Sequence, residues 1–193
     1  MKHKASQDLF AYWNELRGMR DAPERAEVDP AAIRGTLGDT VMLAREPGQR
    51  ATFRLAGTRV CALFGRELKN ENFQALWEPG SRHDIDTLLA SAAEEATGFV
   101  AGATAQVDDG DPVNVELLLL PLFHRGSTDG RLIGALAPLT RPVWLGAQAV
   151  RALTLVSWRA VGPQIDRTVV PRYVNVPGEL ERRSFIVHDG GRR

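Results

Sequence analysis

The sequence predicts an α+β fold in which an antiparallel sheet carries helices. Three consecutive apolar segments lie in the second half of the chain, and turn-forming stretches separate them. Consecutive strands that are joined by short turns pair in the antiparallel sense. Two shorter strands precede them across helical patterns, which predicts separate helical and sheet layers. The five predicted strands cover residues 40–45, 52–56, 99–107, 113–123 and 131–139.

The first predicted element is an N-terminal helix over residues 6–17. Large apolar residues recur on it at helical spacing, and a glycine ends the pattern. This apolar stripe needs a surface to cover. Two alternatives are open, packing on the chain's own domain or contact with a second copy, since aromatic residues are enriched in interfaces. The interface candidates are Leu9, Tyr12, Trp13 and Leu16.

Two signals follow this helix. Asp29 precedes Pro30, and these types are favoured at the N-cap and the first helical position, so we expect a short helix there. Residues 51–77 then form the stretch around which the chain is organised. Its strand ends at Gly57, and Thr58 stands at the N-cap position of a short helix that stops at Gly65.

The longest helical pattern covers residues 81–97, where Ser81 and Asp84 make a weak capping-box match. Beyond it, residues 113–123 contain a continuous apolar run, which indicates a strand covered on both faces. Pro121 argues for an edge position or a bulge in that strand. Residues 151–161 are also predicted to be extended.

Composition excludes several classes of protein. The 193 residues contain 24 Lys and Arg against 24 Asp and Glu, so no net charge draws the chain to nucleic acid or to an anionic membrane. Cys61 is the only cysteine, the polar start MKHKASQD is unlike a secretory signal, and no apolar run approaches the roughly 18 residues of a membrane span. We therefore expect a cytoplasmic protein.

The stretch RLAGTRVCALFGRELKNENFQALW resembles the PAS signature, in which a strand leads to a glycine, a short helix, a second glycine and a bulky apolar residue. FAYWNELR, residues 29–37 and GALAPLTRPVWLGA are similar to a bacterial group of small, stand-alone PAS proteins. The resemblance implies a five-stranded antiparallel sheet with helices on one face, enclosing a cavity. An N-terminal helix and a C-terminal extension would be added to it. The expected parts are an N-terminal helical cap (1–28), a PAS-like domain (29–161) and a partly irregular C-terminal extension (162–193).

The resemblance also implies a sensory or regulatory function. No kinase phosphoacceptor region, GGDEF or EAL sequence, or trusted helix-turn-helix pattern is found, so the signal would leave by contact with another protein. We expect another signalling protein as partner, a homodimer, and a small apolar ligand as the gate. The alternatives are a small-molecule carrier or enzyme on an α+β cup, and a structural partner subunit with a filled core. No catalytic constellation supports an enzyme.

Candidate sites follow from the same elements. Cys61 is followed by Ala62 and lacks the Asn-Cys-Arg-Phe-Leu run of flavin-adduct photosensors, while His83 lies where a haem ligand can stand but is flanked by charged residues. Haem, flavin and a bound metal are therefore not expected, and His3 falls in a start expected to be disordered. Three tryptophans could stack on a ligand or fill the core: Trp77, Trp144 and Trp158. The candidate cavity lining is Phe53, Val60, Cys61, Leu63, Phe64, Trp77, Leu88, Leu117 and Leu119.

Overall fold

The structure, a computed structural model, describes residues 1–45, 48–108, 110–124, 130–141 and 147–162, and the backbone of 172–173. Trp144 and most of the expected C-terminal extension lie outside these residues. The helices are α1 (Lys4–Arg17), α2 (Thr58–Phe64) and α3 (Pro79–Glu94), with short 3₁₀ turns at Arg25–Glu27, Leu37–Asp39 and Phe73–Leu76. The strands are β1 (Thr40–Ala44), β2 (Thr52–Ala56), β3 (Gly98–Gln106), β4 (Val113–Pro121), β5 (Arg131–Pro138), β6 (Ala152–Val161) and β7 (Arg172–Tyr173).

All strands form one sheet in the order β2-β1-β5-β4-β3-β6-β7, and every neighbouring pair is antiparallel. The predicted α+β class and the five predicted strands are confirmed. The sheet has seven strands rather than five because β6 pairs along the whole of β3 and β7 pairs briefly with β6. The segment 151–161, predicted to be extended, is thus a full member of the sheet.

Helices cover both faces of this sheet. On one face, α2, the Phe73–Leu76 turn and α3 form a roof, and the buried apolar residues between roof and sheet are called the roof cluster. The roof cluster consists of Val41, Leu43, Ala51, Phe53, Val60, Leu63, Phe64, Leu68, Phe73, Leu76, Trp77, Ile85, Leu88, Leu89, Ala92, Phe99, Ala101, Ala103, Ala105, Val115, Leu117, Leu119, Leu132, Leu136, Val150, Leu153 and Leu155. On the other face, α1 packs over β4 and β5, and the apolar residues beneath it form the outer cluster. The outer cluster consists of Ala5, Leu9, Trp13, Ala22, Ile33, Val100, Leu118, Leu120, Leu122, Ile133, Ala135 and Val161.

This two-sided cover explains the continuous apolar run of β4. Leu117 and Leu119 lie in the roof cluster, whereas Leu118 and Leu120 lie in the outer cluster, as the period of two in a strand requires. The expectation that Pro121 marks an edge or a bulge is wrong. β4 is a central strand between β5 and β3, and Pro121 is its last residue, where the missing N–H costs the ladder least.

Three local expectations are also corrected. Residues 30–36 form turns instead of a helix, with the Asp29 carboxylate accepting a hydrogen bond from the Ala31 N–H at 2.8 Å. The N-cap of α2 is Gly57 instead of Thr58, which is the first residue of the helix. Position 57 needs glycine because a Cβ there would overlap the carbonyl oxygens of Leu37 and Gly38. Helix α3 begins at Pro79 and ends at Glu94, so Ser81 lies inside its first turn instead of capping it.

Candidate functional site

The centre of the roof cluster is a chain of three aromatic rings. Phe53 of β2 meets Phe73 edge-on with ring centroids 5.5 Å apart, and Phe73 meets Trp77 edge-on at 6.0 Å. All three side chains are fully buried. Edge-to-face pairs of this kind add to the stability that their buried area provides. The rings therefore hold the segment that connects α2 to α3 against the sheet.

One polar atom in this apolar region has no partner. The indole Nε1 of Trp77 is buried, and no acceptor among the described residues bonds to it. Leaving a buried donor unpaired costs about 1–3 kcal/mol, so such a group in a native protein needs an explanation. Among the residues described, Trp77 Nε1 is thus the only buried side-chain N or O atom of the roof cluster that lacks a hydrogen-bond partner.

The structure brings the predicted cavity-lining residues together. Eight of the nine belong to the roof cluster, from β2, α2, α3, β4 and the segment before α3. Cys61 lies at its margin with 8% of its surface exposed. None of the nine lines the two outer clefts described below. Their role as a ligand cavity stays a prediction, and Trp158, half-buried, packs against the same cluster.

Cys61 and His83 are the two residues that the sequence analysis considered as contacts for flavin and for haem. Burial, the largest cause, raises the pKa of the Cys61 thiol, and Glu67 adds to the rise from 3.8 Å. The thiol is therefore protonated at neutral pH and a poor nucleophile. The His83 side chain is exposed on α3, away from the buried core. Cys61 is therefore not an activated thiolate, and His83 is not placed as a buried haem ligand.

Two buried polar side chains link the roof to opposite sides of the sheet by hydrogen bonds. The sequence analysis did not predict either of them. Gln74, 4% exposed, accepts a hydrogen bond from the Ala51 N–H at 3.1 Å and donates one to Asp86 at 2.7 Å. Ser81 Oγ accepts one from the Leu155 N–H of β6 at 3.0 Å. Nothing in the local pattern signals either contact, because each joins residues far apart in the chain.

The predicted interface residues divide between core and surface. Leu9 and Trp13 are buried in the outer cluster, and Trp13 Nε1 donates a hydrogen bond to the Pro121 carbonyl at 2.7 Å. Tyr12 and Leu16 are half-buried, and the Tyr12 hydroxyl accepts one from the Asp29 N–H at 2.8 Å. In this chain the apolar stripe of α1 therefore packs on the chain's own sheet.

Two clefts open on the α1 side of the sheet. The larger, about 660 Å³, lies between the start of α1, the Gly35–Asp39 region, Arg59 and the end of β5. Its Arg59 guanidinium donates hydrogen bonds to both carboxylate oxygens of the buried Asp39, at 2.8 and 2.6 Å, and this hydrogen bonding raises the pKa of Arg59. The smaller, about 350 Å³, lies over β3, β4 and β6.

The described part of the chain carries no group of three or more His, Cys, Asp or Glu side chains placed to hold a metal ion. None of its helices has the length and apolar character that a membrane crossing needs. The described features are thus an apolar core under the roof and two clefts on the outer face.

Comparison with known proteins identifies the class. A family model described as "PAS domain" matches residues 1–137, most of the chain. The chain therefore belongs to the PAS domain family, whose members are in general sensory and signal-transduction modules rather than catalysts. No curated protein matches the chain.

Solved structures of similar fold are distant in sequence. A LOV protein of Rhodobacter sphaeroides has a TM-score of 0.44 and 13% identity, and the match covers 54% of this chain and 61% of that one. A light-oxygen-voltage domain studied with a flavin analogue has a TM-score of 0.46 and 12% identity, covering 61% and 87%. The PAS domain of a protein from Colwellia psychrerythraea has a TM-score of 0.42 and 12% identity, covering 57% and 97%.

Proposed function

We propose that this PAS domain is a cytoplasmic sensory or regulatory module that acts through contact with another protein and is gated by a small ligand under its roof. The observation that carries the proposal is the unpaired Trp77 Nε1–H inside the apolar roof cluster. A ligand with an acceptor group would satisfy this donor and remove its desolvation penalty. Binding would then stabilise the closed roof.

The surroundings define the chemistry of this ligand. The buried members of the roof cluster are all apolar, and the nearby Gln74 amide has partners on both its oxygen and its nitrogen. A charged ligand would leave its charge unpaired in this environment, at high cost. The ligand class is therefore a neutral, largely apolar molecule with one hydrogen-bond acceptor, such as a carbonyl or an ether oxygen.

The proposed output is contact with a second protein, either another signalling protein or a second copy of this chain. A ligand shifts such a contact only if it binds the two forms of the domain with different affinity. β4 provides a route, because its successive residues face the roof cluster and the outer cluster in turn. Displacement of this strand would therefore change the packing of both clusters.

Mass spectrometry of freshly purified protein tests the ligand. We expect a co-purifying neutral small molecule in the wild type and a reduced amount with Trp77→Phe, which removes the donor and keeps an aromatic ring. Trp13→Phe, which changes a buried tryptophan of the outer cluster on the other face of the sheet, is the matched control and should retain the ligand. An absorption spectrum of the same sample tests for haem and flavin.

If neither wild type nor variants carry a ligand, the alternative of a structural subunit with a filled core is supported instead. The close edge-to-face packing of Phe53, Phe73 and Trp77 is the observation that favours that alternative. Light scattering of loaded and stripped protein, alone and with a captured signalling partner, then tests the output. Assembly that is the same in both states would contradict gating.

A further inference from the structure

The first residues of the chain are held on the outer face of the sheet by a buried carboxylate. Glu116 of β4 is 5% exposed. Its two oxygens accept hydrogen bonds from the backbone N–H of Lys2 at 2.6 Å and of His3 at 3.0 Å. Residues 1–3 are called the N-terminal strap. The expectation of a disordered start is wrong, because the strap is anchored and the His3 side chain caps α1 by accepting from the Ala5 N–H at 3.1 Å.

The sheet is shaped to receive this backbone. Across the ladder Glu116 is paired with Gly102 on β3 and with Ala137 on β5, two of the smallest residues. Their small side chains leave room for a main chain to approach the Glu116 carboxylate. A carboxylate that accepts two backbone N–H groups makes strong, charge-assisted hydrogen bonds, whereas the same charge buried without partners would be costly. Glu116 with its strand neighbours Gly102 and Ala137 is called the seat. The buried charge of the seat is stabilised only when a backbone donates hydrogen bonds to it.

The strap lies between the two outer clefts. His3 and Lys4 line the larger cleft, Met1 and Lys2 line the smaller one, and Leu139 lines both. Met1 and His3 are half-buried while Lys2 between them is exposed, the alternation of an extended segment on a surface. Space thus continues on both sides of the resident segment, beyond what the strap itself fills.

The contacts select an extended backbone more than a particular sequence. Both hydrogen bonds to Glu116 come from main-chain N–H groups, which every residue except proline carries. The side-chain requirement falls on the first position, where Met1 packs against the outer cluster. An extended segment with an apolar residue followed by two residues with free N–H groups would make the same contacts.

We propose that the seat around Glu116 is a docking site for an extended segment of a partner protein, and that the N-terminal strap is its resident competitor. The occupant is an apolar residue followed by two non-proline residues, bound by main-chain hydrogen bonds as in other modes of extended-peptide recognition. Docking exchanges one pair of N–H donors for another, so the carboxylate is never left buried alone. The inference does not depend on a ligand under the roof.

A peptide with the sequence of residues 1–6, acetylated and amidated at its ends, tests the proposal on the full chain. Lys2→Pro removes one of the two N–H donors of the strap, and Lys2→Ala, which keeps the N–H, is the matched control. Backbone amide signals of Gly102 and Ala137 report on the seat, and the same spectra report that each variant is folded. We expect millimolar peptide to shift both signals in Lys2→Pro.

The wild type and Lys2→Ala should bind the peptide at least about twofold more weakly than Lys2→Pro, because a tethered strap competes at an effective concentration in the millimolar range, comparable to the peptide concentration used. Adding Glu116→Gln to Lys2→Pro should abolish the shifts. Equal binding by Lys2→Pro and Lys2→Ala, shifts that survive Glu116→Gln, or no shift in Lys2→Pro would each overturn the proposal. As an independent check, the Lys2 and His3 amides should exchange slowly with solvent in the wild type and quickly in Glu116→Gln.

Discussion

Replacing Trp13 decides between the two uses of the apolar stripe on α1. The ring is 1% exposed, its Nε1 bonds to the Pro121 carbonyl, and the Arg17 guanidinium lies 5.5 Å from the ring centre. Trp13→Ala opens a cavity in the outer cluster and leaves that carbonyl unpaired. We expect a loss of about 3–5 kcal/mol in the free energy of unfolding. At about 2–4 °C per kcal/mol for a chain of this size, the melting temperature falls by roughly 6–20 °C.

Trp13→Phe separates the packing from the hydrogen bond. It keeps most of the buried ring and loses the bond to the carbonyl, so we expect a smaller loss of about 1–2 kcal/mol. Urea unfolding followed by circular dichroism measures both variants, and light scattering over a range of concentrations measures their assembly. If Trp13→Ala keeps wild-type stability but shifts a dimer towards monomer, Trp13 serves a contact between copies and the packing argument is refuted.

Three further changes test other parts of the structure. Gly57→Ala should lower the free energy of unfolding by at least about 2 kcal/mol, because the added Cβ meets backbone oxygens. The control is Gly35→Ala, where the space around the added Cβ is open, and it should change the free energy of unfolding by less than about 1 kcal/mol. Urea unfolding measures both. Alkylation of Cys61 by iodoacetamide should have its midpoint above the pH of about 8.5 expected for an unfolded cysteine, since burial raises its pKa; a midpoint below that of the urea-unfolded chain would contradict this. The Arg20 guanidinium lowers the pKa of Glu27, so this contact stabilises the fold above pH about 4.3 and is lost as the pH falls further. The melting temperatures of wild type and Glu27→Gln should therefore differ at pH 6, and the difference should shrink as the pH falls below about 4.3.

The elements that sequence reasoning predicted are those with a strong local pattern. The alternation in β2, the apolar face of α3 and the turns between the late strands each follow from residues close together in the chain. The Asp29-Pro30 signal did not start a helix even though the Asp29 carboxylate accepts the Ala31 N–H as an N-cap would. The N–H groups of Ala32, Arg34 and Thr36 instead bond to the carbonyls three residues before them, which forms consecutive turns.

Only part of the candidate site could be predicted from the sequence. The residues of the roof cluster could be named from their apolar periodicity. The contacts of Glu116 with the strap span more than 110 residues, and those of Ser81 with Leu155 span 74. Such pairs depend on strand order and register, which periodicity does not determine. The unpaired Trp77 N–H is invisible for the same reason, since a missing acceptor is a property of the packed core.

The two proposed sites share β4, and this makes a last prediction. Leu117 and Leu119 face the roof cluster, while Glu116 and Leu118 face the strap side of the same strand. If a ligand under the roof changes how firmly the strap is held, linkage requires that loosening the strap changes ligand affinity by the same factor. The sharpest comparison is the amount of ligand retained by Lys2→Pro and Lys2→Ala after identical purification. We expect the amounts to differ, by about 5-fold or more for a coupling free energy of about 1 kcal/mol. Equal amounts would show that the two faces act independently and that a signal sensed under the roof leaves by another route.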